Sequence, residues 1–204
     1  MLKTFRESLC AGILIAIGGS VFLACDNKYM GAIFFSVALL CICYKAYVLY
    51  TGKVGFIVNQ HSKTDVSNLF TGLIGNLITT FLLGMLIRYI LPDLGTRANE
   101  ICMAKLNQSA FATLVRGFFC GVLMYLAVSI YKEKKTALAI LFCVPVFILS
   151  GFEHSIADMF YFGASGIYSS KIILFMIMVI LGNSIGGMIL PLLTFTGEKG
   201  NEGQ

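Results

Sequence analysis

Residues 151–158 read Gly-Phe-Glu-His-Ser-Ile-Ala-Asp, which places a glutamate, an imidazole, a hydroxyl and an aspartate inside an otherwise apolar stretch. His154 has the widest chemistry of the four. An imidazole can donate a hydrogen bond, lend or relay a proton near neutral pH, or stay neutral and polarise a neighbour. In an apolar stretch such a ring is either a satisfied core group or part of an interior pathway. Metal or covalent chemistry finds less support. The only histidines are His61 and His154, and the seven cysteines lack metal-ligand spacing: Cys41 and Cys43 lie one residue apart in an apolar run, with Cys10, Cys25, Cys102, Cys120 and Cys143 scattered. No nucleophile stands in a triad-like context. The expectation is no metal, no cofactor and no enzyme, with the cysteines reduced.

These groups must be positioned by membrane helices. Apolar residues make up 58% of the 204 and charged residues 12%, against about 25% charged in a soluble domain. Apolar stretches fall at about 9–25, 30–50, 68–91, 111–131, 137–163 and 171–195, and the polar residues collect between them, at 26–28, 61–65, 92–105 and 132–135, and in the tail 197–204. Six spans of helix are therefore expected, because only helices or closed barrels satisfy the backbone in hydrocarbon. Met1–Glu7 is too short and too amphipathic for a cleaved signal peptide, so the first stretch reads as a retained span. The net charge of +5 fits basic residues at lipid headgroups rather than nucleic acid. With the N-terminus inside, Lys3, Arg6, Lys63, Lys132, Lys134, Lys135 and Lys199 face the cytoplasm, against Lys28, Arg88, Arg97, Lys105 and Lys171 outside. That bias predicts a cell-membrane protein with both termini cytoplasmic.

Two spans are interrupted, the second at Tyr50-Thr51-Gly52-Lys53 and the fifth at Gly151–Ser155. Gly75-Asn76 in span three returns as Gly182-Asn183 in span six, and Lys53 stands 105 residues before Asp158. Two three-helix halves, about 8–95 and 108–196, must then have opposite orientations, and broken helices in matching positions mark a transport pathway near the midplane. Residues 1–204 read as one transmembrane channel domain.

The motifs resemble the formate/nitrite transporter family of monovalent-anion channels. Gly151-Phe152-Glu153-His154-Ser155-Ile156-Ala157-Asp158-Met159 is similar to that family's Gly-Phe-Glu-His-Ser-x-Ala-Asn-Met. Tyr50-Thr51-Gly52 resembles its Phe-Thr-Gly, Arg116-Gly117-Phe118-Phe119-Cys120 its fourth-span pattern, and Gly75-Asn76 and Gly182–Gly187 its Gly-Asn motifs. The resemblance implies an all-α, aquaporin-like protomer with spans two and five broken, assembled as a homopentamer in membrane lipid. It further implies a channel or transporter for small monovalent anions or their weak acids (formate, nitrite, hydrosulfide, acetate or lactate), proton-linked through the central histidine.

By position, the resemblance also implies that Thr51 orients His154 beside Tyr50. Phe35, Leu39 and Phe147 would form apolar constrictions, with Met124 and Gly121 at an inner slit and Lys105 as a vestibule cation that gathers anions. The sequence departs from the family at Val48, Lys53, Gly121 and Asp158, which stand where Glu, Asn, Asn and Asn are usual. Since opposite buried charges can neutralise each other, Lys53 and Asp158 are expected to pair across the pore centre. Glu153 is expected to bond unwound backbone amides, with Asn76 and Asn183 also structural at the breaks. Lys45 has three possible roles: snorkelling, an interface or the pore. The departures leave two alternatives: a same-fold channel for another small solute, neutral or cationic, or a non-conducting membrane scaffold.

Overall fold

The computed structural model describes residues 1–194, so the tail 197–204, Lys199 and the last residues of the expected second repeat lie outside them. Among the described residues every regular element is helical. Four helices are long and apolar enough to cross a membrane: α1 Leu2–Ala24, α4 Lys63–Ile90, α6 Ala110–Lys134 and α9 Lys171–Leu193. Two apolar helices are shorter, α2 Lys28–Tyr44 and α7 Leu138–Leu149. At about 1.5 Å per residue neither matches a hydrocarbon core of about 30 Å. Each is followed, after a few irregular residues, by a second helical piece. After α2 come α3 Tyr50–Lys53 and a 3-10 turn, Val54–Val58; after α7 comes α8 Ser155–Ser165.

The outward surface is apolar. Ile13, Ile17, Phe34, Ile74, Phe142 and Ile177 are all exposed, an arrangement that suits lipid. Polar groups collect inside, where Thr51, Asn76, Glu153, His154, Asp158 and Asn183 are almost completely buried. The chain is thus a multi-pass helical membrane protein.

Two boundaries differ from expectation for identifiable reasons. α4 starts at Lys63, five residues before its apolar run, because Ser62 and Asp65 form a reciprocal capping box. The charged connection 92–105 is itself a helix, α5 Pro92–Leu106, with Pro92 at its first turn. It buries Gly95, Ala98 and Cys102 on one face and packs against α8. All seven cysteines are free thiols.

Packing ties the pieces into one unit. α1 lies against α2 and α4, α4 against α8, α2 against α7, and α6 against α9. The α6–α9 contact joins two small-residue stripes, Gly117/Gly121 and Gly182/Gly186, each with four-residue spacing. Such stripes let membrane helices approach backbone to backbone.

Candidate functional site

The site is built on the two helix breaks. In the first, α2 ends at Tyr44, Ala46 takes a left-handed φ of 55°, and the chain becomes helical again at Tyr50. The irregular backbone is therefore 45–49, a few residues before the expected Tyr50–Lys53. In the second, α7 ends at Leu149, Gly151 has φ 69°, and α8 starts at Ser155. Unwinding leaves backbone donors and acceptors without helical partners, and each must be paired inside the protein.

One asparagine serves each break. On α4, the Asn76 amide nitrogen donates to Ser8 O (2.8 Å) and Val48 O (2.9 Å), while its oxygen accepts from Tyr50 N (2.8 Å). On α9, the Asn183 amide donates to Gly117 O (2.9 Å) and Glu153 O (2.8 Å) and accepts from Ser155 N (2.9 Å). The partners Val48 and Glu153, and likewise Tyr50 and Ser155, stand 105 positions apart, as do Ala46 and Gly151. Each amide uses both its protons and its carbonyl, and no shorter or simpler side chain offers that set.

The breaks meet at Thr51 and His154. Thr51 Oγ1 and His154 Nε2 are 2.8 Å apart, and His154 Nδ1 accepts from Ala157 N at 3.1 Å, capping α8. A backbone N–H can only donate, so Nδ1 carries no proton here. The neutral ring then has its proton on Nε2, donated to Thr51. Phe147 stacks on the imidazole at 5.5 Å between centroids, and Phe35 meets Phe147 edge-on.

Cavities lie on either side of this pair. One, of about 210 Å³, is lined by Phe35, Lys105, Phe147, His154, Asp158 and Tyr161, and by Phe22 near the end of α1. The other, of about 240 Å³, is lined by Leu39, Gly52, Lys53, Val128, Lys132 and Lys135. Phe35 and Leu39 occupy successive turns of α2 yet face different cavities, so the barrier between them is about one helical turn thick. Tyr50, Met124 and Gly121 line neither of these two. The Tyr50 hydroxyl meets Ser184 Oγ at 2.6 Å, and Met124 is buried in the helix core.

The charged residues are arranged differently from the sequence expectation. Asp158 pairs with Lys105, Nζ to Oδ1 at 2.9 Å, and Lys105 also contacts Glu153 Oε2. The expected Lys53–Asp158 pair is absent. Lys53 lies at the end of α3, beside the pocket that includes Thr4 and Asp65, near the start of α1; Asp158 faces the cavity near the end of α1. The two residues point to opposite mouths, and among the described residues Lys53 makes no salt bridge. Lys105 is not a free vestibule cation either, because its side chain is only 14% exposed and is held between two carboxylates. Glu153 bonds side chains rather than backbone amides, its other oxygen accepting from Gln108 Nε2 at 2.7 Å. Lys45 is exposed at the C-terminus of α2, where a cation suits the helix dipole.

Gly121 belongs to helix packing, not to a slit. A Cβ there would collide with Asn183 O and lie 2.8 Å from Gly187 N on α9. Restoring a side chain with Gly121→Asn is therefore expected to destabilise the protein by about 1–3 kcal/mol through overpacking, read as a lower Tm in detergent with no new polar group in either cavity. The sequence offers no sign of a role for Gln108, and it offers Ser184 only as part of the Gly182–Gly187 motif. Both are ordinary polar residues, and only the folded arrangement brings them to Glu153 and Tyr50.

Comparison with known proteins agrees with this architecture. A family model described as formate/nitrite transporter matches residues 1–196. The uncharacterized transporter YwcJ of Bacillus subtilis (strain 168) is 28% identical over 188 residues, covering 80% of this chain and 73% of that protein. The nitrite transporter NirC of Escherichia coli (strain K12) is 28% identical over 180 residues, covering 78% and 67%. A solved structure titled as a pentameric formate channel with formate bound superposes with a TM-score of 0.78 at 24% identity, covering 94% of each chain. At that identity the structural match speaks for the fold. With the family model spanning nearly every residue and the broken-helix scaffold in place, this chain belongs to the formate/nitrite transporter family, a family of transporters rather than enzymes.

Proposed function

We propose that this protein is a membrane channel for small monovalent anions of weak acids, moved together with a proton. The carrying observation is the Thr51–His154 hydrogen bond, which joins the two helix breaks between two cavities. A hydrophobic barrier one helical turn thick opposes a bare anion and admits a neutral acid far more readily. The Nε2–H of His154 turns from Thr51 to an oxygen of the passing solute, replacing one hydrogen bond by another. Phe35, Leu39 and Phe147 exclude water around it.

The broken pairs α2 with α3, and α7 with α8, complete the spans to six. These form two inverted three-helix halves of a single domain, a reading supported by the matched asparagine clamps. The family and the pentameric relative support a homopentamer in lipid with one pore per protomer, and formate and nitrite as first solutes to test, followed by hydrosulfide, acetate and lactate. Lys53, Lys132 and Lys135 at the mouth near the start of α1 support a cytoplasmic N-terminus in the cell membrane, with the C-terminus on the same side.

The test is efflux from proteoliposomes of formate, nitrite, hydrosulfide and urea across a pH series, with His154→Asn alongside. Loss of a hydrogen bond to a charged or charge-developing group costs about 1.5–3 kcal/mol, so anion flux should fall by about 10–100-fold in the variant. Urea flux exceeding that of the anions would point to another solute. Normal pentamers that pass none of the four would mark the protein as a scaffold.

A further inference from the structure

One ammonium serves two carboxylates in the chamber beside His154. Lys105 contacts Glu153 Oε2 and Asp158 Oδ1, so the group has a formal charge of −1 when both acids are ionised. Glu153 uses both oxygens as acceptors, one from Lys105 and the other from Gln108. Asp158 does not. Its Oδ2 is buried without a hydrogen-bond partner, in a residue that is 2% exposed and lines the chamber. Two carboxylates sharing one site resist double ionisation, and an uncompensated buried carboxylate is strongly unfavourable. A proton on Oδ2 removes both penalties and leaves the cluster neutral.

The other groups around Asp158 do not offer an equivalent proton. His154 Nδ1 already accepts from Ala157, so protonation there would break the cap of α8. Cys102 on α5, Cys120 on α6 and Tyr161 on α8 are the remaining titratable neighbours, and thiols and phenols are ordinarily neutral at pH 7. Arg88 of α4 is bound to Ser165 O, at the far end of α8.

We propose that Asp158 carries a proton on Oδ2 and delivers it to a weak-acid anion in the chamber. The inference rests on the channel reading above and names the residue that couples the proton. In the step, the Oδ2–H bond breaks, its electron pair stays on Asp158, and the proton forms a new bond to the anion. The neutral acid crosses the barrier past His154. Lys105 holds the resulting carboxylate until water at the chamber mouth returns a proton. One proton therefore crosses with each anion, and nothing is oxidised or reduced.

The test compares the full-length protein with Asp158→Asn, which keeps the volume of the side chain and an oxygen for Lys105; an unchanged oligomer on size exclusion confirms that it folds. Infrared difference spectra at pH 7 should show the carbonyl band of an un-ionised carboxylic acid in the wild type and lose it in the variant. In proteoliposomes holding a pH-sensitive dye, wild-type formate uptake should carry about one proton per formate. Uptake driven by a proton gradient should fall at least tenfold in Asp158→Asn. A wild type without the band, a band that survives in the variant, or unchanged proton coupling would each overturn the assignment. A wild type that shows the band but passes neither formate nor nitrite at any pH would instead sink the channel reading, and the delivery step with it.

Discussion

Lys105→Met should lower the stability of the protein by about 3–5 kcal/mol, the usual cost of removing one partner from a buried ion pair and leaving the other charge uncompensated. Burial makes the effect large, since the Lys105 side chain is 14% exposed and Glu153 only 2%. The second-site pattern is more informative than the loss itself. Lys105→Met with Glu153→Gln should recover most of the stability, because it removes the charge that was stranded. Lys105→Met with Asp158→Asn should recover much less, because Asp158 already holds a proton. Thermal unfolding in one detergent across the four proteins measures all of this. Equal recovery from either second change would show that the two acids share the negative charge evenly.

The other large effect is expected at the asparagine clamps. Asn183→Ala removes the partners of the Glu153 carbonyl and the Ser155 N–H at the buried break, and a second bond to the Gly117 carbonyl within α6. Each buried group left unpaired costs about 1–3 kcal/mol, so the two at the break give about 2–6 kcal/mol, enough to impair assembly of a marginally stable protein. Asn183→Asp is no remedy, because a carboxylate cannot donate to Gly117 O and Glu153 O. Asn76→Ala should do comparable damage. Yield of the correctly sized oligomer after extraction reads the outcome, and a well-assembled Asn183→Ala protein would mean that the break is held by something other than its amide.

Much of this arrangement was legible in the residues, and the failures have physical causes. The Gly-Asn pairs mark the two amides that hold the breaks, because buried amides inside an apolar run have few other uses. The first break lies a few residues before the Tyr50–Lys53 segment that its sequence suggests. Residues 45–49 read Lys-Ala-Tyr-Val-Leu, with no proline or glycine, and the break becomes visible only through the φ of Ala46 and the reach of Asn76 to Val48 and Tyr50. The second break is marked by Gly151, a residue suited to a left-handed turn, and its place was found correctly. Lys53 and Asp158 occupy equivalent positions in the sequence but are not neighbours in the fold. One turn beyond each break, these side chains lead to different mouths, and the partner of Asp158 is a lysine from the connecting helix α5. That helix was itself hidden, because its polar, amphipathic sequence looks like a loop next to six apolar runs.

The clamps also bear on how the chain is made. All partners of Asn76 lie between residues 8 and 50, and all those of Asn183 between 117 and 155. Each set is complete on one side of residue 100, so a ribosome that has delivered residues 1–95 has already supplied every partner of the Asn76 side chain. Synthesis proceeds from the N-terminus, so Val48 O and Tyr50 N need not wait for residues 150–155 before Asn76 pairs them. The Thr51–His154 contact, by contrast, can form only after both clamped breaks have been made.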